Sequence, residues 1–144
     1  MEKEFQYPVR VEFADTDAAG VAHFSRLLAF VEAAEHAYLG WLGVAVMAEC
    51  GGGRSGWPRV DVSFEFKGAL RFRDEAVVAI RLERLGERSV CYRAEMRTVD
   101  GRLVCSGTMT NAFVVMGVDH SVKSAEISGH DRRLFLNELE RLNG

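Results

Sequence analysis

The chain has 144 residues, with 18 lysines and arginines against 21 aspartates and glutamates. This length indicates one domain over 1–144, and the slight acidic excess argues against a nucleic-acid partner. Its three cysteines lack a Cys-x-x-Cys spacing, so they indicate neither a disulfide framework nor a zinc site. The first residues are polar and no apolar run is long enough to span a bilayer. We therefore expect a soluble, cytoplasmic protein with no metal and no membrane partner.

The first half of the chain predicts one strand and one long helix. Residues 6–13 alternate weakly between polar and apolar side chains, as in a strand. From Leu27 onward apolar residues recur every three or four positions, which predicts a helix with one buried face. Gly40 and Gly43 are expected to loosen its end. The glycine-rich residues 51–56 predict a flexible surface loop.

The second half predicts four strands joined by short turns, followed by a helix. The strand that Pro58 opens alternates with a period of two, and the turn signals are Gly86 and Asp100-Gly101. No crossover helices separate these strands, so a parallel doubly wound sheet is excluded. The expected fold class is α+β, an antiparallel sheet wrapped around one long helix. The other predicted elements are strands over 75–84, 88–98 and 103–116 and an amphipathic helix over 131–143.

Two binding motifs are rejected on their spacing. Asp15-x-Asp17-x-x-Gly20 resembles the start of a calcium-binding EF-hand loop. That loop also needs an oxygen ligand at its fifth position and a glutamate at its twelfth, where this chain has Ala19 and Arg26. The glycine-rich loop lacks the phosphate-loop spacing and precedes a strand. We therefore expect neither a calcium site nor a phosphate loop.

The junction between the first strand and the long helix carries the candidate chemistry. Asp15 is interpreted as a turn residue that satisfies backbone N–H groups. The small residues from Thr16 to Ala22 would let another molecule approach the backbone beside Asp17. A carboxylate close to a helix N-terminus could support acyl transfer without a metal. The residues alone leave open whether Asp17 and His23 are catalytic or structural.

Other charged residues also have two interpretations. Glu32, Glu35 and His36 lie on the less apolar face of the predicted helix and are most simply solvated, although Glu32 could reach a pocket. Four arginines are either surface charge or a clamp for phosphates. These arginines are Arg71, Arg73, Arg84 and Arg88.

The junction motif resembles the signature of the hotdog-fold acyl-CoA thioesterases of the 4-hydroxybenzoyl-CoA thioesterase family. The similarity extends over roughly 5–116, and its N-terminal motif is the more specific part. The residues that carry it are Phe13-x-Asp15-Thr16-Asp17-x-x-Gly20-Val21-x-His23-Phe24, Phe30-x-Glu32-Ala33-Ala34, Pro58-x-Val60-x-Val62-x-Phe64, Leu70-Arg71-Phe72-Arg73-Asp74-Glu75 and Leu85-Gly86-x-Arg88-Ser89.

The resemblance implies a fold, an assembly and a substrate. The fold would be a five-stranded antiparallel sheet around one long central helix, with the predicted C-terminal helix added. Members form dimers with shared active sites, so we expect a homodimer or a homotetramer. The substrate would be an aryl or aliphatic acyl-CoA. No separate cofactor is expected, because coenzyme A is part of the substrate.

The resemblance also implies roles for single residues. Asp17 matches the catalytic carboxylate, which acts as nucleophile or general base. Phe24 matches the residue whose backbone N–H polarises the thioester carbonyl, alone or with the N–H of His23 or Ser25. Arg88 and Ser89 match positions that touch the nucleotide phosphates. Further candidate substrate-binding residues are Gly20, Glu32 and Arg84.

One departure from the family pattern concerns the histidine. Many members place it where Phe24 stands here, and adjacent helical positions differ by about 100° of rotation, so a catalytic role for His23 does not simply transfer. A hydroxyacyl thioester dehydratase is a rival within the fold, but residues 25–28 replace its Pro-Gly-x-Pro sequence. A binding module that does not hydrolyse acyl-CoA is the other alternative, against which the intact Asp17 argues.

Overall fold

In a computed structural model that describes residues 3–144, nine strands and two α-helices follow one another along the chain. A short 3₁₀ turn, Phe13–Asp15, follows the first strand. The elements are β1 (Phe5–Arg10), α1 (Phe24–Leu42), β2 (Ala48–Cys50), β3 (Gly53–Gly56), β4 (Arg59–Phe66), β5 (Glu75–Leu85), β6 (Ser89–Thr98), β7 (Leu103–Ala112), β8 (Val114–Met116), β9 (Val122–Ser124) and α2 (Gly129–Asn143).

Five strands form the main sheet in the order β1–β5–β6–β7–β4, and all neighbours are antiparallel. The α+β class, the five-stranded antiparallel sheet and both predicted helices are confirmed. The predicted turn at Asp100-Gly101 is also present, with Gly101 at a φ of 95° that favours glycine. None of the helices in this part of the chain is long and apolar enough to cross a membrane.

The central helix α1 is held on the sheet by its apolar stripe. Its buried face includes Leu27, Val31, Ala34 and Tyr38, which belong to one core with the inner face of the sheet. The helix begins at Phe24, one turn before the predicted start at Leu27. It ends at Leu42, and Gly43 caps it with a left-handed φ of 92°. This conformation lets the Gly43 N–H donate to the carbonyls of Leu39 and Gly40 in the last turn.

Three predicted segments were wrong in part. The first strand ends at Arg10, because the backbone turns into the 3₁₀ turn. The predicted loop over 51–56 is largely a hairpin of β2 and β3. The predicted strand over 103–116 is broken at Phe113, whose N–H donates to the Arg88 carbonyl and whose ring contacts Trp57. After this break β8 joins an unpredicted second sheet, in the order β2–β3–β8–β9.

The helix α2 is fastened to α1 by a buried polar contact. The Tyr38 hydroxyl donates to the Glu138 carboxylate and accepts from the Leu82 N–H at 3.0 Å. Arg141 pairs with the same carboxylate at 2.7 Å. Burial, together with the adjacent Glu138, raises the pKa of Tyr38, so its hydroxyl stays protonated and keeps donating.

Strand β4 is a sheet edge that leaves apolar side chains exposed. A bulge between Arg59 and Asp61 turns Arg59 to the inner face and removes Val60 from the predicted alternation. Val60, Val62 and Phe66 are 61%, 44% and 43% exposed. The inner face of β4 is therefore only partly covered by α1 of the same chain.

Gly107 is required by the close approach of β4 and β7. An added Cβ would lie 2.0 Å from the Ser63 carbonyl oxygen and 2.7 Å from the Phe64 Cα. We expect Gly107→Ala to lower the free energy of unfolding by about 2–3 kcal/mol, because the two backbones must separate. Urea unfolding followed by circular dichroism measures this. Gly40→Ala, in open helical surroundings, is the control and should unfold no earlier than wild type.

Candidate active site

A tight turn presents Asp17 to solvent between β1 and α1. The Asp17 N–H donates to the Val21 carbonyl, and the Gly20 N–H donates to the Asp17 carbonyl, both at 2.9 Å. Thr16 and Ala22 pair as an antiparallel bridge at the base of the turn. Gly20 has a φ of 82°, which a residue with a Cβ adopts only under strain. The sequence candidate Gly20 thus shapes the turn that carries Asp17.

The two carboxylates of the motif have different environments. Oδ1 of Asp17 accepts the Ala19 N–H at 2.9 Å, while its Oδ2 has no hydrogen-bond partner among residues 3–144. Asp15 is buried, accepts the Glu12 N–H and pairs with Arg26, both at 2.8 Å. The prediction that Asp15 satisfies a local N–H is confirmed. Asp17 keeps one oxygen available for chemistry.

The N-terminus of α1 leaves one backbone donor free. Ser25 N–H donates to Nδ1 of His23 at 3.2 Å, and the N–H groups of Arg26 and Leu27 donate to the His23 carbonyl. The His23 N–H donates to the Asp15 carbonyl at 3.0 Å. The N–H groups of His23 and Ser25, which were expected as possible second donors, are therefore both engaged within the chain. Within the described chain, only the Phe24 N–H of the first turn lacks an acceptor.

His23 serves as the N-cap of α1. Because its Nδ1 accepts the Ser25 N–H, the proton of the neutral ring lies on Nε2. The Ser25 hydroxyl lies 2.8 Å from the same nitrogen, and the ring packs against Phe24 with centroids 4.6 Å apart. His23 thereby fixes the backbone that bears the free Phe24 N–H.

The capping role gives a prediction for His23. His23→Ala should reduce turnover moderately and destabilise the protein by about 1 kcal/mol, since the cap is lost. His23→Asn keeps a capping acceptor and should restore the stability. Thermal unfolding and steady-state kinetics of both variants measure these effects. An inactive but fully folded His23→Asn protein would show that the imidazole itself takes part in the reaction.

Arg88 and Ser89 lie at the opposite end of the sheet from Asp17. The segment before β5 contacts the chain on both sides of the Asp17 turn. The Val11 N–H donates to the Asp74 carbonyl, and the Ala22 N–H donates to the Leu70 carbonyl. From there β5 runs for 11 residues, about 30–35 Å, to the hairpin that bears Arg88. Arg84 lies near the far end of that same strand. These three candidates could reach an Asp17 turn only in another copy of the chain.

A buried ion pair closes the middle of α1 against β4. Glu35 is 1% exposed, pairs with Arg59 at 2.9 Å and accepts from the Asn111 amide. Arg59 also donates to the Asn111 oxygen at 3.0 Å and lies 3.5 Å from the more exposed Glu32. The interpretation of Glu35 as a solvated residue was wrong. Arg59 and Asn111 were not identified from the sequence, although Glu35 does fall within the apolar stripe of the helix.

The same region holds the one group of possible metal ligands found in the described part of the chain. Glu32, Glu35 and His36 each offer a ligand atom, all within 4.8 Å of one another. The guanidinium of Arg59 already lies between the two carboxylates as a cation. The Tyr92 hydroxyl is buried nearby and has no hydrogen-bond partner among residues 3–144. Its burial raises the pKa of Tyr92, and the charge of Glu35 makes a smaller contribution in the same direction. The carboxylates are therefore better suited to Arg59 than to a metal ion.

The cysteines are free thiols. Cys50 is exposed, while Cys91 and Cys105 are buried. Burial raises the pKa of Cys105 to about 11, so its thiol stays protonated at neutral pH. The nucleophile candidates at the junction are the Asp17 carboxylate and a water molecule that it activates.

Comparison with known proteins identifies the family of this chain. Residues 19–105 match the sequence profile of the thioesterase superfamily. The chain belongs to the thioesterase superfamily. The predicted enzyme class, a thioester hydrolase, is thereby confirmed.

Several proteins similar to this thioesterase-superfamily chain carry names that state a substrate. It is 28% identical over 137 residues to a 1,4-dihydroxy-2-naphthoyl-CoA hydrolase of Synechococcus sp. strain CC9605, covering 92% of this chain and 90% of that protein. A 1,4-dihydroxy-2-naphthoyl-CoA thioesterase from Synechocystis superposes with a TM-score of 0.78 at 18% identity, covering 92% and 96% of the two chains. A gentisyl-coenzyme A thioesterase superposes at 0.75 with 23% identity, covering 90% and 98%. These superpositions confirm the hotdog fold.

Proposed function

We propose that this protein hydrolyses an aromatic acyl-CoA to the free acid and coenzyme A at the junction of β1 and α1. The observation that carries this proposal is the free Phe24 N–H at the start of α1, together with Asp17, whose Oδ2 is unpaired, in the turn that leads into that helix. A single backbone donor aimed at a developing oxyanion contributes typically about 3–4 kcal/mol to catalysis. The N-terminal end of the α1 dipole adds to that stabilisation.

The junction supports a short reaction sequence. The thioester carbonyl oxygen accepts the Phe24 N–H, which makes its carbon more electrophilic. Asp17 takes a proton from water while the water oxygen attacks that carbon and forms a tetrahedral oxyanion. The oxyanion then collapses, the carbon–sulfur bond breaks, and the coenzyme A sulfur takes up the proton from Asp17.

A nucleophilic route would use the same geometry. Asp17 Oδ2 would attack the carbonyl carbon directly, expel the coenzyme A thiolate and form a mixed anhydride, which water then hydrolyses. A single turnover in ¹⁸O-labelled water tests the nucleophilic route by mass spectrometry. Label in Asp17 arises only when water attacks the aspartyl carbonyl of an anhydride, so it would establish that route. The general-base route labels the product acid alone, as does attack of water on the acyl carbonyl of an anhydride.

The proposed acyl group is a hydroxylated aromatic ring. The relatives named above act on 1,4-dihydroxy-2-naphthoyl-CoA and gentisyl-CoA, as their names state. In this chain Phe24 and Phe66 form an aromatic contact at the start of α1, with centroids 6.1 Å apart. Further along this side of the helix, Glu32 of α1 and Arg59 of β4 offer polar partners for a ring hydroxyl. We propose that an aryl group lies along this side of α1.

The test is release of free thiol from matched acyl-CoA substrates. We expect kcat/KM to be at least about tenfold higher for 1,4-dihydroxy-2-naphthoyl-CoA or gentisyl-CoA than for hexanoyl-CoA. Acyl-CoA binding without thiol release from any of them would instead support the non-hydrolytic binding module. Hydration of an enoyl-CoA without thiol release would support the dehydratase alternative.

We also propose that the active form is a dimer or a tetramer, as an uncovered β4 edge suggests. Val60, Val62 and Phe66 expose apolar surface on a strand with free backbone groups along its outer side. A second copy could cover this edge about a two-fold axis. Light scattering at micromolar concentration should give at least twice the 16.0 kDa chain mass. A stable, active monomer would contradict this assembly.

A further inference from the structure

Two exposed phenylalanines beside the Asp17 turn have no part in the chemistry proposed above. Phe13 is 75% exposed and Phe72 is 45% exposed. Their rings meet edge to face, with centroids 5.9 Å apart. The ring planes are nearly perpendicular, at 81°, so the pair offers a ring face beside a ring edge to solvent. Exposed aromatic surface of this kind is typical of a binding site.

Two arginines complete this surface, which we call the aromatic platform (Phe13, Arg71, Phe72 and Arg73). The guanidinium of Arg73 lies over the Phe72 ring, 5.1 Å from its centre. Neither Arg71 nor Arg73 has an acidic ion-pair partner among residues 3–144. The aromatic platform therefore joins apolar rings to two guanidinium groups that are not engaged in ion pairs within these residues.

Backbone contacts hold the aromatic platform next to the Asp17 turn. Arg71 pairs with Val21 as an antiparallel bridge, and its N–H donates to the Asp74 carboxylate at 2.7 Å. The Arg73 N–H donates to the Val11 carbonyl at 2.9 Å. Arg73 has a φ of 73°, which non-glycine residues seldom adopt. The arginines are thus carried on a defined turn close to the candidate active site.

We propose that the aromatic platform binds the nucleotide end of coenzyme A. The adenine would stack on the exposed face of one phenylalanine ring and contact the edge of the other. The phosphates would bind the guanidinium groups of Arg71 and Arg73. This inference rests on the proposed function, which brings a coenzyme A ester to the junction. Glu75 and Asp100 border the cleft beside Arg73. Their negative charges would repel a phosphate from that cleft, so the phosphates are proposed to bind Arg73 outside it.

Within one chain, Arg88 is too far from the Asp17 turn to take this role, and it could do so only from a second copy. Its guanidinium contacts the Ser124 carbonyl and hydroxyl oxygens at 3.3 and 3.2 Å, at the far end of the sheet. Within one chain the aromatic platform is therefore closer to Asp17 than the Arg88 hairpin is. A nucleotide bound there stays on the chain that holds its thioester.

A direct binding experiment tests the proposal without hydrolysis. Desulfo-coenzyme A is titrated into wild type and variants in a calorimeter. Phe72→Ala and the double variant Arg71→Ala/Arg73→Ala should each weaken binding by about tenfold or more. Phe72→Tyr keeps a ring and should bind nearly as wild type does. Arg133→Ala, which removes an exposed arginine from α2, is the matched control and should leave binding unchanged.

Kinetics with two esters of one acyl group provide a second readout. In the platform variants we expect KM for the acyl-CoA to rise about tenfold with kcat nearly unchanged, because remote contacts supply uniform binding. The corresponding acyl-pantetheine lacks the nucleotide and should behave alike in all variants. Added salt should raise KM for the acyl-CoA only, since only that ester carries the phosphates.

The outcomes separate this inference from the proposed function. Unchanged desulfo-coenzyme A binding in the platform variants would overturn it, as would a rise in KM confined to Arg88→Ala. Equal kcat/KM for acyl-pantetheine and acyl-CoA in wild type would also overturn it, while leaving the hydrolase intact. Weakened desulfo-coenzyme A binding in the platform variants, with no thioester hydrolysed, would support the aromatic platform and remove the proposed reaction.

Discussion

Replacing Asp17 by asparagine is expected to lower kcat by at least about a hundredfold while acyl-CoA still binds. The amide keeps the size of the side chain, and its oxygen can still accept the Ala19 N–H, so the turn should be preserved. What is lost is the negative charge and basicity of Oδ2. Thiol release at saturating substrate measures kcat, and calorimetric binding of the intact acyl-CoA to the variant measures the retained affinity.

Asp15→Asn is the matched control for this substitution. Its carboxylate is buried and pairs with Arg26, so the change should lower stability, and lost activity should follow the lost folded fraction. An Asp17→Asn enzyme within a few-fold of wild type would contradict the assigned role. So would an Asp15→Asn enzyme that is fully folded and yet inactive.

Replacing Arg59 by alanine is expected to lower the free energy of unfolding by about 3–5 kcal/mol, because it leaves a buried carboxylate without its cation. Glu35 is almost fully enclosed and keeps only the Asn111 amide as a partner in that variant. Chemical denaturation monitored by circular dichroism measures the change at neutral pH.

The double variant Glu35→Leu/Arg59→Leu separates this cause from a simple loss of packing. It removes both charges and retains apolar volume, so it should recover part of the lost stability, less the cost of leaving the buried Asn111 amide without these two partners. If Arg59→Ala unfolds at the same denaturant concentration as wild type, the Glu35 carboxylate is not confined as the structure shows it. If the double variant is as unstable as Arg59→Ala, an unpaired Glu35 charge is not the main cause of the instability.

The main sheet and α1 could be predicted because their side chains repeat with a clear period over many residues. Strand β5 has 11 residues and α1 has 19, long enough for buried and exposed positions to alternate visibly. The second sheet could not be predicted in this way. Its strands have three or four residues, and the break at Phe113 depends on Trp57, which lies far away in the sequence.

The candidate site was predictable only where its residues are neighbours in the chain. Asp17, Gly20 and Phe24 fall within one short motif, and the structure places Asp17 and Gly20 in the turn before α1 and Phe24 at its first residue. The burial of Glu35 depends on Arg59 and Asn111, which lie 24 and 76 positions further along the chain. Pairing over such distances leaves no local pattern in a single sequence.

The uncovered apolar face of β4 bears on how the stability and solubility of the chain would vary with protein concentration. A lone chain presents Val62 and Phe66 on an open strand edge, which is also the kind of surface that nucleates aggregation. In the proposed assembly a second copy would cover that edge, and the melting temperature would rise with protein concentration. Dilution would then expose the apolar edge and also remove the stabilisation that association provides.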